Sequence, residues 1–205
     1  MRLAFAAAVL GTALVAAPVA QSTHDGRTWS SLDRPFNPNG RLRMDLVAGD
    51  YRIVGSQDNG IHLQWSLRDI DQLAKVHARA DVHDRDARIT TDGPSSKGLK
   101  FLMRVPARSD LYIRLTAGEL RVDGIEGNKD IELHAGEIRV NVGRAEDYHH
   151  VDASVWAGEL HAAPFQMFKE GLFRSFDWNG KGPYRLHARL KAGEVRLYAN
   201  SDDAR

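Results

Sequence analysis

One short motif, an alanine and a glycine followed by an acidic residue, constrains the fold of this chain more than any other feature. It occurs five times, as LVAGDYRI at 46–53, LTAGELRV at 115–122, LHAGEIRV at 133–140, VWAGELHA at 155–162 and LKAGEVRL at 190–197. The intervals between the glycines are 69, 18, 22 and 35 residues, and the glycines are Gly49, Gly118, Gly136, Gly158 and Gly193. Such internal similarity is typical of repeat architectures, in which neighbouring units bury one continuous core.

The residues around each glycine alternate between apolar and polar. In the second copy, Leu115 precedes the Ala–Gly pair, and Leu120 and Val122 follow it. A period of two indicates strands with one buried face. The Ala–Gly pair shifts the alternation by one residue, which predicts a bulge or a corner within each strand.

The repeats therefore predict an all-β fold. Their spacing favours a β-solenoid or β-roll, similar to a parallel β-helix, although no six-residue period is present within the 18-residue interval. A β-sandwich with an accidental motif is the alternative. A solenoid places the triplets above one another, whereas a sandwich scatters them. One short helix is expected in DIDQLAKV at 69–76.

The two ends of the chain differ from the repeat region. Residues 1–22 combine Arg2, an apolar run and small residues, a pattern typical of a secretory signal peptide. We expect a flexible segment at 23–36, a single β-repeat domain at 37–200 and a polar tail at 201–205. The predicted location is the periplasm, the cell surface or the extracellular space.

Composition excludes several classes of protein. The chain has no cysteine, so neither disulfides nor lipid attachment at the leader is expected. Lys and Arg number 28 against 27 Asp and Glu, and loss of Arg2 with the leader leaves 27 − 27 = 0. A neutral chain has no basic field for nucleic acid. We also expect no membrane span in the mature chain, because no further apolar run is long enough.

Stacked repeats would place like charges above one another on the outward face. The expected acidic column comprises Asp50, Glu119, Glu137, Glu159 and Glu194. Two residues further along each strand, the expected basic column comprises Arg52, Arg121, Arg139, His161 and Arg196. We interpret the two columns as a self-neutralising surface. Since Ca²⁺ requires six to eight converging oxygens, one carboxylate per strand beside an arginine predicts no tight calcium site.

Other candidate chemistry is weak in the sequence. His77, Asp81 and His83 share one face of a predicted strand and could hold Zn²⁺, but a compact metal-binding His motif is absent. The chain also lacks Cys, Gly-x-Ser-x-Gly and a Walker loop. We therefore expect no catalytic residue, no cofactor and no metal site.

The segment APFQMFKEGLFRSFDWNGKGPY at 163–184 interrupts the repeats with six aromatic residues. One interpretation is a cap or side hairpin that covers the open end of the stack. The other is an exposed surface that binds a protein or a glycan, since aromatic side chains are effective anchors for both. The candidate surface residues are Phe173, Phe176, Trp178 and Tyr184.

Two stretches resemble a known family. VPARSDLYIRLTAGELRVDGIEGNKDIELHAGEIRVNVG at 105–143 and GKGPYRLHARLKAGEVRLY at 180–198 look like the β-strand-repeat "putative adhesin" family of exported bacterial proteins of unknown function. The resemblance implies export and a repetitive β-fold, and it supplies no catalytic residues. We expect a non-catalytic, adhesin-like protein of the bacterial envelope that acts through surface contacts. The alternative is a carbohydrate-active protein with a groove site on a β-helix.

Overall fold

The computed structural model describes residues 19–24, 27–94 and 98–199. These residues form one mixed sheet of thirteen strands, which confirms the all-β prediction. The strands are β1 Ala20–His24, β2 Arg27–Pro35, β3 Gly40–Leu46, β4 Gly49–Ser56, β5 Gly60–Ser66, β6 His77–His83, β7 Asp86–Asp92, β8 Lys100–Pro106, β9 Ser109–Asp123, β10 Lys129–Asn141, β11 Tyr148–Ala162, β12 Met167–Asn179 and β13 Tyr184–Tyr198.

A single short α-helix in the described residues, α1 Ile70–Leu73, lies within the segment expected to be helical. Asp69 precedes it and caps its N-terminus, because a carboxylate oxygen accepts hydrogen bonds from the backbone N–H groups of Asp71 at 3.0 Å and Gln72 at 3.2 Å. Short 3₁₀ turns occur at Ala145–Asp147 and Ala163–Phe165. In the parts of the chain described here, helices are too short to cross a membrane.

Four long strands form the centre of the sheet in the order β9, β10, β13, β11, and all four run parallel. At one edge, β12 pairs antiparallel with β11. On the other side the sheet divides at β9. There β3 pairs with the first half of β9 and continues to β7 and β6, while β4 pairs with the second half and continues to β8, β5, β2 and β1.

All five motif glycines lie in one column. Gly49 is in register with Gly118, Gly118 with Gly136, Gly136 with Gly193, and Gly193 with Gly158. The order differs from chain order, because β13 inserts between β10 and β11. The strand β12 runs antiparallel to β11 and returns the chain to the end of the sheet at which β11 begins. From there β13 runs parallel to β11 and pairs with it.

The central corners require glycine for two reasons. Gly136 and Gly158 have φ values of 131° and 138°, a region that other residues rarely adopt. A Cβ on Gly136 would also lie 1.9 Å from the carbonyl oxygen of Gly118. Gly49 is different, since it begins β4 outside the left-handed region and a Cβ there would meet nothing closer than 3.3 Å.

The side chains on both sides of each corner point into one core. In β9, Leu111, Ile113 and Leu115 are buried before the corner, and Leu120 and Val122 after it. Apart from Lys129, which lies opposite Leu111, matching positions in β10, β13 and β11 are filled by apolar residues in register, so each rung (one motif-bearing strand) covers the next. Burying one such side chain stabilises the fold by about 1.5–3 kcal/mol.

The segment predicted to be flexible, 23–36, is largely part of the sheet. Its β2 strand pairs with β5, with Leu32 opposite Leu63, and Leu32 and Phe36 are buried. The prediction of flexibility was wrong for 27–35, because Leu32 within β2 and Phe36 just after it are buried in the core. Of the predicted leader, residues 1–18 lie outside the described residues, and Ala20–Ser22 belong to β1 at the edge of the sheet. The tail at 201–205 also lies outside them.

Candidate functional site

The two outward columns of charge follow the register of the rungs. Glu119, Glu137, Glu194 and Glu159 occupy one column, and their neighbours two residues further along occupy the next. Within single strands, Arg196 binds Glu194 at 2.6 Å, Arg139 binds Glu137 at 3.0 Å and His161 contacts Glu159 at 3.1 Å. Exposed pairs of this kind contribute about 0–1 kcal/mol each. The columns therefore neutralise themselves rather than form a strongly charged site.

At the rungs nearest the division of the sheet, the pairing differs from the expected one. Arg52 and Arg121 both bind Asp123, at 3.4 Å and 3.0 Å, an acid outside the expected acidic column. The hydroxyl of Tyr198 also donates to Asp123 at 2.5 Å. Asp123 takes this role because it follows Arg121 on the same face at a spacing of two. The sequence-based interpretation did not consider it.

In the four long rungs, the residue just before the Ala–Gly pair also faces outward, and it varies from rung to rung. It is Thr116 in β9, His134 in β10, Lys191 in β13 and Trp156 in β11. The motif is thus constant where it packs and variable where it meets solvent. Only the variable positions can give one rung a surface that the others lack.

An aromatic pair lies at the β11–β12 end of this variable column. The antiparallel register of β11 and β12 places Trp156 opposite Phe173. Their rings meet edge to face, with centroids 5.6 Å apart and an interplanar angle of 88°. Even so, Trp156 is 57 % exposed and Phe173 is 71 % exposed. Leu172, next to Phe173 in β12, is also exposed.

The backbone of Phe173 is strained. Its φ is 54°, in the left-handed region that costs a non-glycine residue about 1–2 kcal/mol. Burial of the ring does not compensate for this cost, because the ring is largely in solvent. Strained residues of this kind cluster at functional sites, so the outlier supports a role for the Phe173 ring in recognition.

Cationic side chains surround the aromatic pair. A groove of about 680 Å³ lies between the strands, lined by Trp156, Phe173, Arg174, Arg189 and Lys191 together with Ser154, Val155, Ser175 and Leu190. Arg189 and Lys191 have no acidic partner within the part of the chain that the structure describes. The groove thus combines an aromatic wall with a positive rim, and none of the lining residues is acidic.

Only one of the four residues predicted for this surface fits it well. Phe173 is at its centre, whereas Phe176 is 5 % exposed and packs against Phe165 at 5.6 Å. Trp178 is half-buried against Phe165 at 5.0 Å, and Tyr184 lies near Tyr148. The interruption is therefore both a cap and a surface: one set of its rings closes the core, and another faces solvent.

Trp156 was missed by the sequence analysis because it lies inside a motif copy that we interpreted as scaffold. One signal was present: VWAGEL is the one copy with an aromatic residue before the Ala–Gly pair. When the buried positions of a repeat are constant, a large apolar residue at an outward position departs from the pattern and indicates a candidate binding surface.

Lys129 is a second unusual group. It occupies an inward position of β10, between Leu111 and Leu186, and is 1 % exposed. Its Nζ donates to the carbonyl of Gly127 and to the hydroxyl of Tyr148, both at 2.9 Å. Burial lowers the pKa of Lys129 to about 7. The rings of Tyr148 and Tyr184 enclose this amine at the end of the core, which indicates a structural role for Lys129.

Comparisons with known proteins support the fold. No protein-family model matches the chain, and neither does any curated protein. Among solved structures, a "putative cell adhesion protein" from Clostridium sporogenes superposes with a TM-score of 0.51 at 15 % identity, covering 82 % of this chain and 97 % of that one. The resemblance to adhesin-type proteins is confirmed at the level of the fold.

Two further solved structures show weaker superposition. A "putative adhesin" from Bacteroides fragilis is 13 % identical, with a TM-score of 0.28, and the match covers 83 % of this chain and 97 % of that one. A "putative adhesin" from Parabacteroides merdae is 14 % identical, with a TM-score of 0.29, over 83 % and 81 % of the two chains. Neither of these two structures adds support for the fold beyond that given by the Clostridium sporogenes protein.

Proposed function

We propose that this chain is an exported, non-catalytic β-repeat protein of the bacterial envelope that binds an anionic glycan through the Trp156–Phe173 surface. One observation carries the proposal: an exposed aromatic pair, with a strained backbone at Phe173, lines a groove whose charged residues, Arg174, Arg189 and Lys191, are all cationic. The adhesin-like function inferred from the sequence is thereby given a specific surface.

The chemistry of the groove matches that of an acidic sugar polymer. The flat apolar face of a sugar ring packs on an exposed aromatic side chain, which is a large and rigid anchor. Cationic side chains at the rim attract carboxylate or sulfate groups and set the orientation of the polymer. A glycoside hydrolase generally uses a pair of carboxylates, and their absence from the lining residues favours binding over hydrolysis.

Two other parts of the proposal rest on separate observations. The register of the glycine column supports the interpretation of the domain as a short β-solenoid or roll rather than a sandwich. The leader-like segment at 1–22 supports export. Added protease should degrade the protein on intact cells if it acts at the cell surface; protection until the outer barrier is opened would place it in the periplasm.

The binding proposal is tested by titrating the protein with three polymers. Polygalacturonate offers both sugar rings and charge, dextran offers rings without charge, and polyglutamate offers charge without rings. We expect saturable binding to polygalacturonate alone, weakened by salt because the rim interactions are screened. Trp156→Ser and Arg189→Gln should each weaken it at least tenfold. Equal binding to polyglutamate, or no effect of Trp156→Ser, would contradict the proposal.

A further inference from the structure

A separate group of side chains on the outward face has the composition of a metal site. Asp130 and Glu132 lie on the same face of β10, and His187 of β13 is in register with Asp130. One carboxylate oxygen from each acid and one ring nitrogen of His187 all lie within 4.8 Å of one another. All three side chains are half-buried.

A fourth residue orients the histidine. The Nδ1 atom of His187 is hydrogen-bonded to the carboxylate of Asp152 on the neighbouring strand β11. A carboxylate oxygen accepts in this hydrogen bond, so Nδ1 is the donor. Nε2 is then the ring nitrogen left to bind a ligand, as in the carboxylate–histidine–metal arrangement of metalloproteins.

The surroundings leave room for an ion and its waters. A cavity of about 460 Å³ borders the site and is lined by Asp130, His187, Asn128, His149 and Arg185, among others. Arg114 is the competing cation, since it binds one oxygen of Asp130 at 2.9 Å and one of Glu132 at 3.3 Å. Each of these carboxylates retains a second oxygen. Any metal would therefore share the two acids with Arg114 or displace it.

We propose that Asp130, Glu132 and His187 form a binding site for a divalent transition metal of the Zn²⁺ type, with Asp152 as a positioning residue. One imidazole nitrogen and two carboxylate oxygens suit Zn²⁺, with water completing the coordination. Mg²⁺ and Ca²⁺ favour sites made entirely of oxygen. The inference departs from the sequence-based expectation of no metal site and is independent of the glycan proposal.

A second His–carboxylate group in the chain provides a matched control. Glu159, His161 and Glu194 also converge within 4.8 Å. Here, however, the Nε2 atom of His161 is itself hydrogen-bonded to Glu159 at 3.1 Å, and Phe168 packs on the ring at 4.3 Å. Within the described residues, a carboxylate that orients Nδ1 of His161 is absent. We expect this group to bind the metal less tightly than the site at His187.

The test is calorimetric titration of the full-length protein with Zn²⁺ at neutral pH. We expect one saturable site whose affinity falls at least tenfold in His187→Gln. It should fall about 10- to 100-fold in Asp152→Asn, although Asp152 does not touch the metal. Arg114→Gln should tighten binding severalfold because it removes the competing cation, and His161→Gln should leave it unchanged.

Circular dichroism of each variant checks that the fold is retained, and Arg114→Gln gives a gain that unfolding cannot mimic. The proposal is overturned if the wild-type protein shows no saturable binding. It is also overturned if a folded His187→Gln variant binds as tightly as wild type, or if His161→Gln rather than His187→Gln removes the site.

Discussion

The rungs formed by β10 and β13 and the end formed by β11 and β12 share the same glycine column, but their outward side chains differ. The central rungs present the pairs Glu137–Arg139 and Glu194–Arg196. The end presents Trp156 and Phe173, which are both exposed, beside the cations Arg174, Arg189 and Lys191. The comparison indicates that the motif provides the scaffold, and we propose that recognition lies in the positions between its constant residues.

The claim that the motif provides the scaffold is tested most sharply by adding one methyl group at a central corner. Gly136→Ala should cost about 4 kcal/mol or more, because it forces a Cβ into the backbone of Gly118 at a strained φ. The matched control is Gly49→Ala, where the space is larger and φ is ordinary. Chemical denaturation checks both. Equal, small losses of stability would show that the corners do not depend on glycine.

The two roles of the β12 segment can be separated by truncating one ring at a time. Phe176→Ala should destabilise the protein by about 3 kcal/mol, because this ring fills the core against Phe165. Phe173→Ala should change the free energy of unfolding by less than about 0.5 kcal/mol, as expected for an exposed side chain. Urea unfolding midpoints measure the difference. Comparable losses for both variants would mean that the whole segment is a cap.

The buried amine of Lys129 predicts a pH dependence of stability. Its pKa is about 7 in the folded state and 10.5 ordinarily, so between these values the unfolded chain binds more protons. Stability therefore rises with pH across this window, by about 2 kcal/mol from pH 7 to pH 9. Urea unfolding at the two pH values checks this. Lys129→Met should flatten the dependence, and an unchanged slope in that variant would assign it to other groups.

The smallest expected effect has the opposite sign. Phe173→Gly should stabilise the fold by about 1 kcal/mol, since glycine adopts the left-handed conformation without strain. Phe173→Ala retains the strain and serves as the control. Thermal unfolding resolves a change of this size. A loss of stability in Phe173→Gly would show that the exposed ring contributes to folding after all.

The strands, the corners and the alignment of the glycines could be predicted because alternation and glycine are read directly from the sequence. The insertion of β13 could not be predicted, since Ala192–Gly193–Glu194 fits beside Ala135–Gly136–Glu137 as well as beside Ala157–Gly158–Glu159. Because the motif is the same in each rung, the sequence does not indicate which rungs pair with β13. The aromatic segment was located correctly, but which rings face solvent depends on the strand register and on the strained turn at Phe173.

Recognition is best tested by a direct comparison of the two regions in one binding experiment. The end variant combines Trp156→Ser with Phe173→Gly, and the central variant combines Glu137→Gln with Arg139→Gln. Both should remain folded, which circular dichroism verifies. We expect titration with polygalacturonate to show at least a tenfold loss for the end variant and wild-type affinity for the central variant. Equal affinity of the two variants, or a loss confined to the central one, would contradict the assignment of recognition to the β11–β12 end.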